Sequence, residues 1–283
     1  MVHIKKLVKL LVVTFFCQNL ELYGSNQTIN TKLQIKKTLL DQSPRKTYIS
    51  IKNNLFNDLS IFYSKENFNK IFFGLTISST LANSPIDQKF QTHYQDHYRN
   101  KTTDQVSNIA RQFGERYFSL IFLTSFSVSL FNSSDSQGIN LFNWSEACLR
   151  NLLVGGPTLL LFQSILGPSR PNTQKPYSHW RPFQVNNQKV GASGHSYMGA
   201  VPFLSLARLS KSKLMKISFT VLSGFTALSR IHDNKHYLSQ AWLGWWLAYL
   251  ASNVQDLNKQ NSSISFSIDP ESKSLLGSYQ VFF

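Results

Sequence analysis

Ser229-Arg230-Ile231-His232-Asp233-Asn234-Lys235-His236 separates two apolar runs, Leu214 to Leu228 and Tyr237 to Ala251. Apolar runs of this length with few breakers read as helices, because strands seldom run past about ten residues. Working back along the chain, Tyr197 to Leu209, Leu152 to Leu166, Tyr117 to Phe131 and Ile71 to Ile77 repeat the pattern. No strand series competes. The expected fold is therefore all-α, a bundle of about six helices. Asn143-Trp144-Ser145-Glu146 reads as a helix opening near 144, Gly155-Gly156-Pro157 predicts a kink, and Gly167-Pro168 closes that helix.

Four segments follow from composition. Residues 1–24 combine Lys5, Lys6 and Lys9 with the apolar run Leu10 to Cys17 and then small residues, the pattern of a secretory signal peptide. Residues 25–68 are rich in Asn, Gln, Ser, Thr and Lys without a sustained period, and read as a polar arm. Residues 69–255 hold the apolar runs, and 256–283 form a polar tail. Loss of Cys17 with the leader would leave only Cys148, so no internal disulfide is expected and packing must supply the stability.

The net charge of +15 favours anionic partners. No basic run is interleaved with aromatics in the manner of a nucleic-acid groove, so nucleic acid is not the expected partner. Two observations point to a membrane. The turn Ser210-Lys211-Ser212-Lys213-Leu214-Met215-Lys216 fits a cytoplasmic loop, and Trp242, Trp245, Trp246 and Tyr249 suit an interface. Against them, the runs are shorter than the roughly 20 residues of a span, and mean hydropathy is −0.18, which suits a soluble bundle beyond the cytoplasmic membrane.

Three polar patches sit at the expected helix ends: Arg170-Pro171, Ala192-Ser193-Gly194-His195, and Ser229-Arg230 through His236 to Gln240. Antiparallel helices would bring these ends to one face. Two arginines would then face two histidines and a helix N-terminus. Phosphoryl transfer needs such a set, because its transition state spreads negative charge over equatorial oxygens and is stabilised by fixed donors. Arg170 and Arg230 offer paired N–H donors, Ser193 a hydroxyl, and Gly194 unobstructed backbone. One imidazole can attack phosphorus while neutral and another can protonate the leaving oxygen. His236 and Gln240, four apart, can share a helix face, so the amide can orient the ring. That makes His236 the candidate nucleophile and His195 the candidate acid.

Gln163-x6-Arg170-Pro171, Ala192-Ser193-Gly194-His195 and Ser229-Arg230-x5-His236-x3-Gln240 together resemble the three motifs of the type 2 phosphatidic acid phosphatase and vanadium haloperoxidase superfamily, over about residues 140–252. The resemblance implies an α-helical phosphatase of a phosphate monoester or diphosphate, notably a phosphorylated lipid, with His236 as nucleophile through a phosphohistidine and His195 as general acid. It implies that Arg170, Ser193, Gly194, Arg230 and, in the lysine position, Gln163 hold the phosphate. No metal or other cofactor is implied, although vanadate could occupy the same site. The signal-peptide-like start and the basic turn 210–216, read as cytoplasmic, put the expected site on the extracytoplasmic side of the cell envelope, either membrane-associated or in a soluble protein of that compartment.

The sequence departs from the family at two polar positions. Gln163 removes one positive charge from the phosphate, which Lys175 or Arg181 could supply by folding back. Gln240 replaces an aspartate, and by analogy with carboxylate-to-amide changes in a catalytic triad the rate could fall by up to ~10⁴; Asp233 could compensate in part. A degenerate phosphate-binding envelope protein is thus the alternative, with haloperoxidase disfavoured by chain length and Gln163. His232 reads as a solvated loop residue ahead of a substrate contact. His93 and His97 have metal-pair spacing around Asp96 but lack a third ligand.

Overall fold

Helices cover all six apolar runs to within a residue or so at their ends, and further helices precede them. The computed structural model describes residues 44–131, 141–173, 177–183, 190–268 and 275–281. Among these, α1 spans Pro44–Phe62, α2 Lys65–Ala82, α3 Ile86–His97, α4 Lys101–Gln112 and α5 Tyr117–Phe131. Then come α6 Leu141–Ile165, α7 Gly194–Leu209, α8 Lys213–Ser223, α9 Phe225–His232 and α10 Leu238–Asn261. The fold is all-α, with an antiparallel hairpin of β1 Ser262–Ile268 and β2 Leu275–Val281 appended after α10.

Several expectations change in detail. The stretch 25–68 was expected to lack a helical period, yet α1 begins at Pro44. Polar α3 and α4 also escape a search for apolar runs. α4 is nevertheless locally encoded by a capping box, in which Asn100 accepts from Thr102 and Thr103 N–H and Thr103 accepts from Asn100 N–H. The run Leu214 to Leu228 splits at Gly224 into α8 and α9. Helix α6 begins at Leu141, so Asn143 lies inside its first turn, and Pro157 sits within the helix. The polar tail from 256 contains the end of α10 and the hairpin. The expected leader, residues 1–24, and Lys175 lie outside the described residues.

Helix α10 is the axis of the bundle, packed against α7, α2, α6 and α1. Its Leu243, Leu247, Ala251 and Val254 are fully buried with Val154, Val201 and Phe62. Each such leucine contributes about 2 kcal/mol by leaving water. Gly244 lets α10 approach the start of α7 closely: a Cβ there would lie 2.2 Å from the Ser193 carbonyl oxygen. A buried ion pair ties α1 to α6, with both Arg150 Nη2 and Nε on Asp58 Oδ2 at 2.6 and 2.8 Å.

No helix among the described residues is long and apolar enough to cross a membrane. The surface still carries exposed apolar side chains, including Phe72 on α2, Leu120 on α5, Leu160 on α6 and Leu214, Ile217 and Val221 on α8.

Candidate active site

Gly167, at φ 68, turns the chain at the end of α6 and lets it pass against the Arg181 carbonyl. The backbone then runs through Pro168 and Ser169 to Arg170, and Ser169 is pinned by Tyr177, whose N–H donates to Ser169 Oγ at 2.8 Å. Across from it, Ser193 caps α7, its side chain accepting from Ser196 N–H. Ser193 N–H donates to the Gln240 carbonyl at 2.9 Å, which joins the second motif to the third. Gln163 reaches the same place: a Cβ on Gly194 would lie 2.8 Å from its Nε2. The side chain in the lysine position therefore borders the α7 N-terminus.

The turn between α9 and α10 folds back so that Lys235 and His236 N–H both donate to the Arg230 carbonyl, at 2.9 and 3.2 Å. Asn234 takes the left-handed conformation, φ 57, which asparagine tolerates. Helix α3 clamps this turn through Gln91 Nε2, which donates to the Ile231 carbonyl and to Asn234 Oδ1. The turn delivers His236, 3% exposed, to the interior.

His236 Nδ1 lies 2.8 Å from Gln240 Oε1. The partners of the amide settle its orientation: Tyr237 N–H can only donate to Oε1, at 3.3 Å, and the Ser169 carbonyl can only accept from Nε2, at 2.9 Å. With Oε1 turned to the ring, Nδ1 must carry the proton, and Nε2 keeps the lone pair. Gln240 is thus fitted to its place as a bridge from the histidine to the backbone beside Arg170.

Charge in the cleft disfavours protonated imidazole. Burial first, then Arg230, Arg170 and His195, push the His236 pKa down to about 3, against the opposing hydrogen bond to Gln240. Burial also leads for His195, with Arg230, Arg170 and Arg116 adding and Glu115 opposing, and brings it to about 4. The two arginines and two histidines thus lie within one another's fields. Arg230 is 6% exposed and its Nε has no hydrogen-bond partner among the described residues. A buried guanidinium N–H without a partner is costly unless an anion takes it.

The structure redirects several other residues. Asp233, expected to compensate for Gln240, faces Arg230 at 3.6 Å and Arg111 at 3.7 Å and accepts from Ser107 at 2.7 Å. Arg181 is exposed and stacks 4.1 Å over the Tyr177 ring. His232, expected in solvent, is buried, with its Nε2 2.9 Å from Asp104 Oδ1. His93 and His97 stack on each other on the surface of α3, and no group of three potential metal ligands occurs among the described residues. Sequence reasoning missed Glu115, Arg111, Ser107 and Asp87. None belongs to a motif, and each reaches the site only through packing.

A sequence model of the PAP2 superfamily matches residues 149–257. No curated protein matches the chain. Among solved structures, the chain is similar to a transmembrane PAP2 type phosphatidylglycerolphosphate phosphatase from Bacillus subtilis, at 18% identity and a TM-score of 0.50 over 68% of this chain and 96% of that one. At that identity the likeness is one of fold. The matched residues contain both candidate histidines, Arg170 and Arg230, Gln163, Ser193, Gly194 and Gln240.

Proposed function

We propose that this protein is a phosphatase that hydrolyses a phosphate monoester or diphosphate, on a phosphorylated lipid, through a phosphohistidine on His236. The observation that carries this reading is the His236–Gln240 pair: a buried ring whose Nδ1–H is held by an amide and whose pKa of about 3 keeps it neutral at physiological pH. Arg170, Arg230, the Ser193 hydroxyl and the backbone at Gly194 bind the phosphate oxygens, with Gln163 donating where the family has a lysine. Nε2 attacks phosphorus and the P–O bond to the leaving group breaks with its electron pair going to oxygen. His195 gives that oxygen a proton. The now neutral His195 takes a proton from water as the water oxygen attacks the phosphohistidine, which releases phosphate and restores His236.

His195 must carry a proton to act, and at a pKa of about 4 the free enzyme leaves it mostly neutral near pH 7. A bound phosphate dianion offsets Arg170 and Arg230 and raises that pKa. The alkaline limb of kcat should therefore lie at higher pH than that of kcat/KM, since the first reports the substrate complex and the second the free enzyme.

A lipid substrate and a site on the extracytoplasmic face are supported by the basic, apolar start of the sequence, the net charge of +15 and the exposed apolar side chains of α8 beside Lys211, Lys213 and Lys216. The second reading, a phosphate-binding protein without turnover, is favoured by Gln163 and Gln240 alone. Phosphate release from lipid and soluble phosphates in the presence of EDTA separates them. Turnover that vanadate inhibits, with an acid-labile, base-stable phosphoprotein lost in His236→Ala, supports the phosphatase. Binding of phosphate with no release from any substrate supports the second reading.

A further inference from the structure

Gly114-Glu115-Arg116, between α4 and α5, lies outside the family-matched segment and packs directly on the start of α7. A Cβ on Gly114 would come within 2.7 Å of the His195 carbonyl oxygen, so the loop lies directly against the histidine backbone. The loop sets Glu115 Oε2 4.0 Å from His195 Nε2, with both side chains about a third exposed. The other charges facing that ring are all positive: Arg230 from α9, Arg170 from the end of α6, and Arg116 from the same loop. Arg230 has its own counter-ion in Asp233, which Ser107 and Arg111 of α4 hold in place. Among these neighbours Glu115 is the one carboxylate turned to the imidazole.

We infer, resting on the phosphatase reading, that Glu115 is a positioning residue for His195: its carboxylate offsets the arginines around the ring and keeps that histidine able to carry the proton the leaving group needs. A histidine crowded by three guanidinium groups is a poor candidate for holding a proton. A carboxylate 4.0 Å from Nε2 favours the charged ring and sits on its Nε2 side, which leaves the Nδ1–H of the imidazolium for the leaving oxygen. The step itself is unchanged. The proton moves from His195 to the departing oxygen as the P–O bond breaks, and Glu115 exchanges none.

Two readouts on full-length protein test this. In the first, the His195 imidazole is titrated by NMR without substrate, with His195→Asn for assignment. Glu115→Gln should lower its midpoint and Glu115→Asp should restore most of the difference. An unmoved midpoint in Glu115→Gln overturns the inference whether or not the protein turns over. In the second, kcat is compared on an alkyl phosphate, whose leaving group needs a proton, and an aryl phosphate, whose leaving group does not. Glu115→Gln should lose about tenfold more on the alkyl ester, a fraction of what general-acid catalysis contributes. Equal losses on both esters, or a fall in thermal stability with the ratio unchanged, would make Glu115 a structural residue only. A wild-type protein that releases no phosphate, with the NMR shift present, would instead overturn the phosphatase reading and leave the electrostatic pairing standing.

Discussion

Helices α1 to α4, which precede the family-matched segment, and the segment itself, residues 149–257, differ in how they contribute to one site. The second half carries every residue expected to touch phosphate. The first half carries partners for them. Asp87 of α3 caps the start of α10, accepting from Ser239 N–H at 2.9 Å and from the Ser239 hydroxyl. Gln91 holds the turn before His236, Asp104 holds His232, Ser107 and Arg111 hold Asp233, and Asp58 of α1 anchors Arg150 of α6. Motifs name the groups that do chemistry, whereas the preorganisation that makes them effective can come from any element packed behind them.

The comparison can be broken by substitutions in each half. His236→Ala should have the largest effect, a fall in kcat of at least about 10³-fold with folding retained, measured by phosphate release and circular dichroism. Gln240→Leu comes next. It frees the ring from its tautomer and removes the bridge to Ser169, and should cost about 10²-fold in kcat. Comparable losses from α1 substitutions would erase the distinction between the halves.

Asp58→Ala should act on stability and leave chemistry alone. It leaves Arg150 buried with only Glu146, at 3.2 Å, to answer it, and should cost about 3 kcal/mol in denaturant unfolding with kcat of the folded protein unchanged. Ser107→Ala should be the mildest, about 1 kcal/mol, with a rise in KM if Asp233 then draws Arg230 away from the phosphate. Acid should sharpen the picture further. His236 has its folded pKa, about 3, below the ordinary 6.5, so the unfolded chain binds the extra proton first. The stability it contributes is present above pH 6.5 and is lost as pH falls toward 3, and His236→Ala should flatten that slope in a pH series of urea midpoints.

What the sequence determined by itself was the helical character of the apolar runs and the spacing of the candidate reacting set. Both are local: a run of apolar residues prefers a helix wherever it lies, and Ser193-Gly194-His195 or Arg230 to His236 carry their spacing with them. The tertiary structure decided the rest. α3 and α4 lack an apolar signature because their buried side chains, Asp87, Gln91 and Ser107, are polar and find partners on α9 and α10. The sequence already let Gln240 orient the His236 ring, but its second partner was hidden for the same reason. Only when the Ser169 carbonyl is placed beside it does an amide, with one donor end and one acceptor end, fit that position. Glu115 became visible only when Gly114 was seen against His195, more than 80 residues along the chain. Electrostatic fields depend on distance in space and not along the sequence, so the charges that tune an imidazole are assigned by packing.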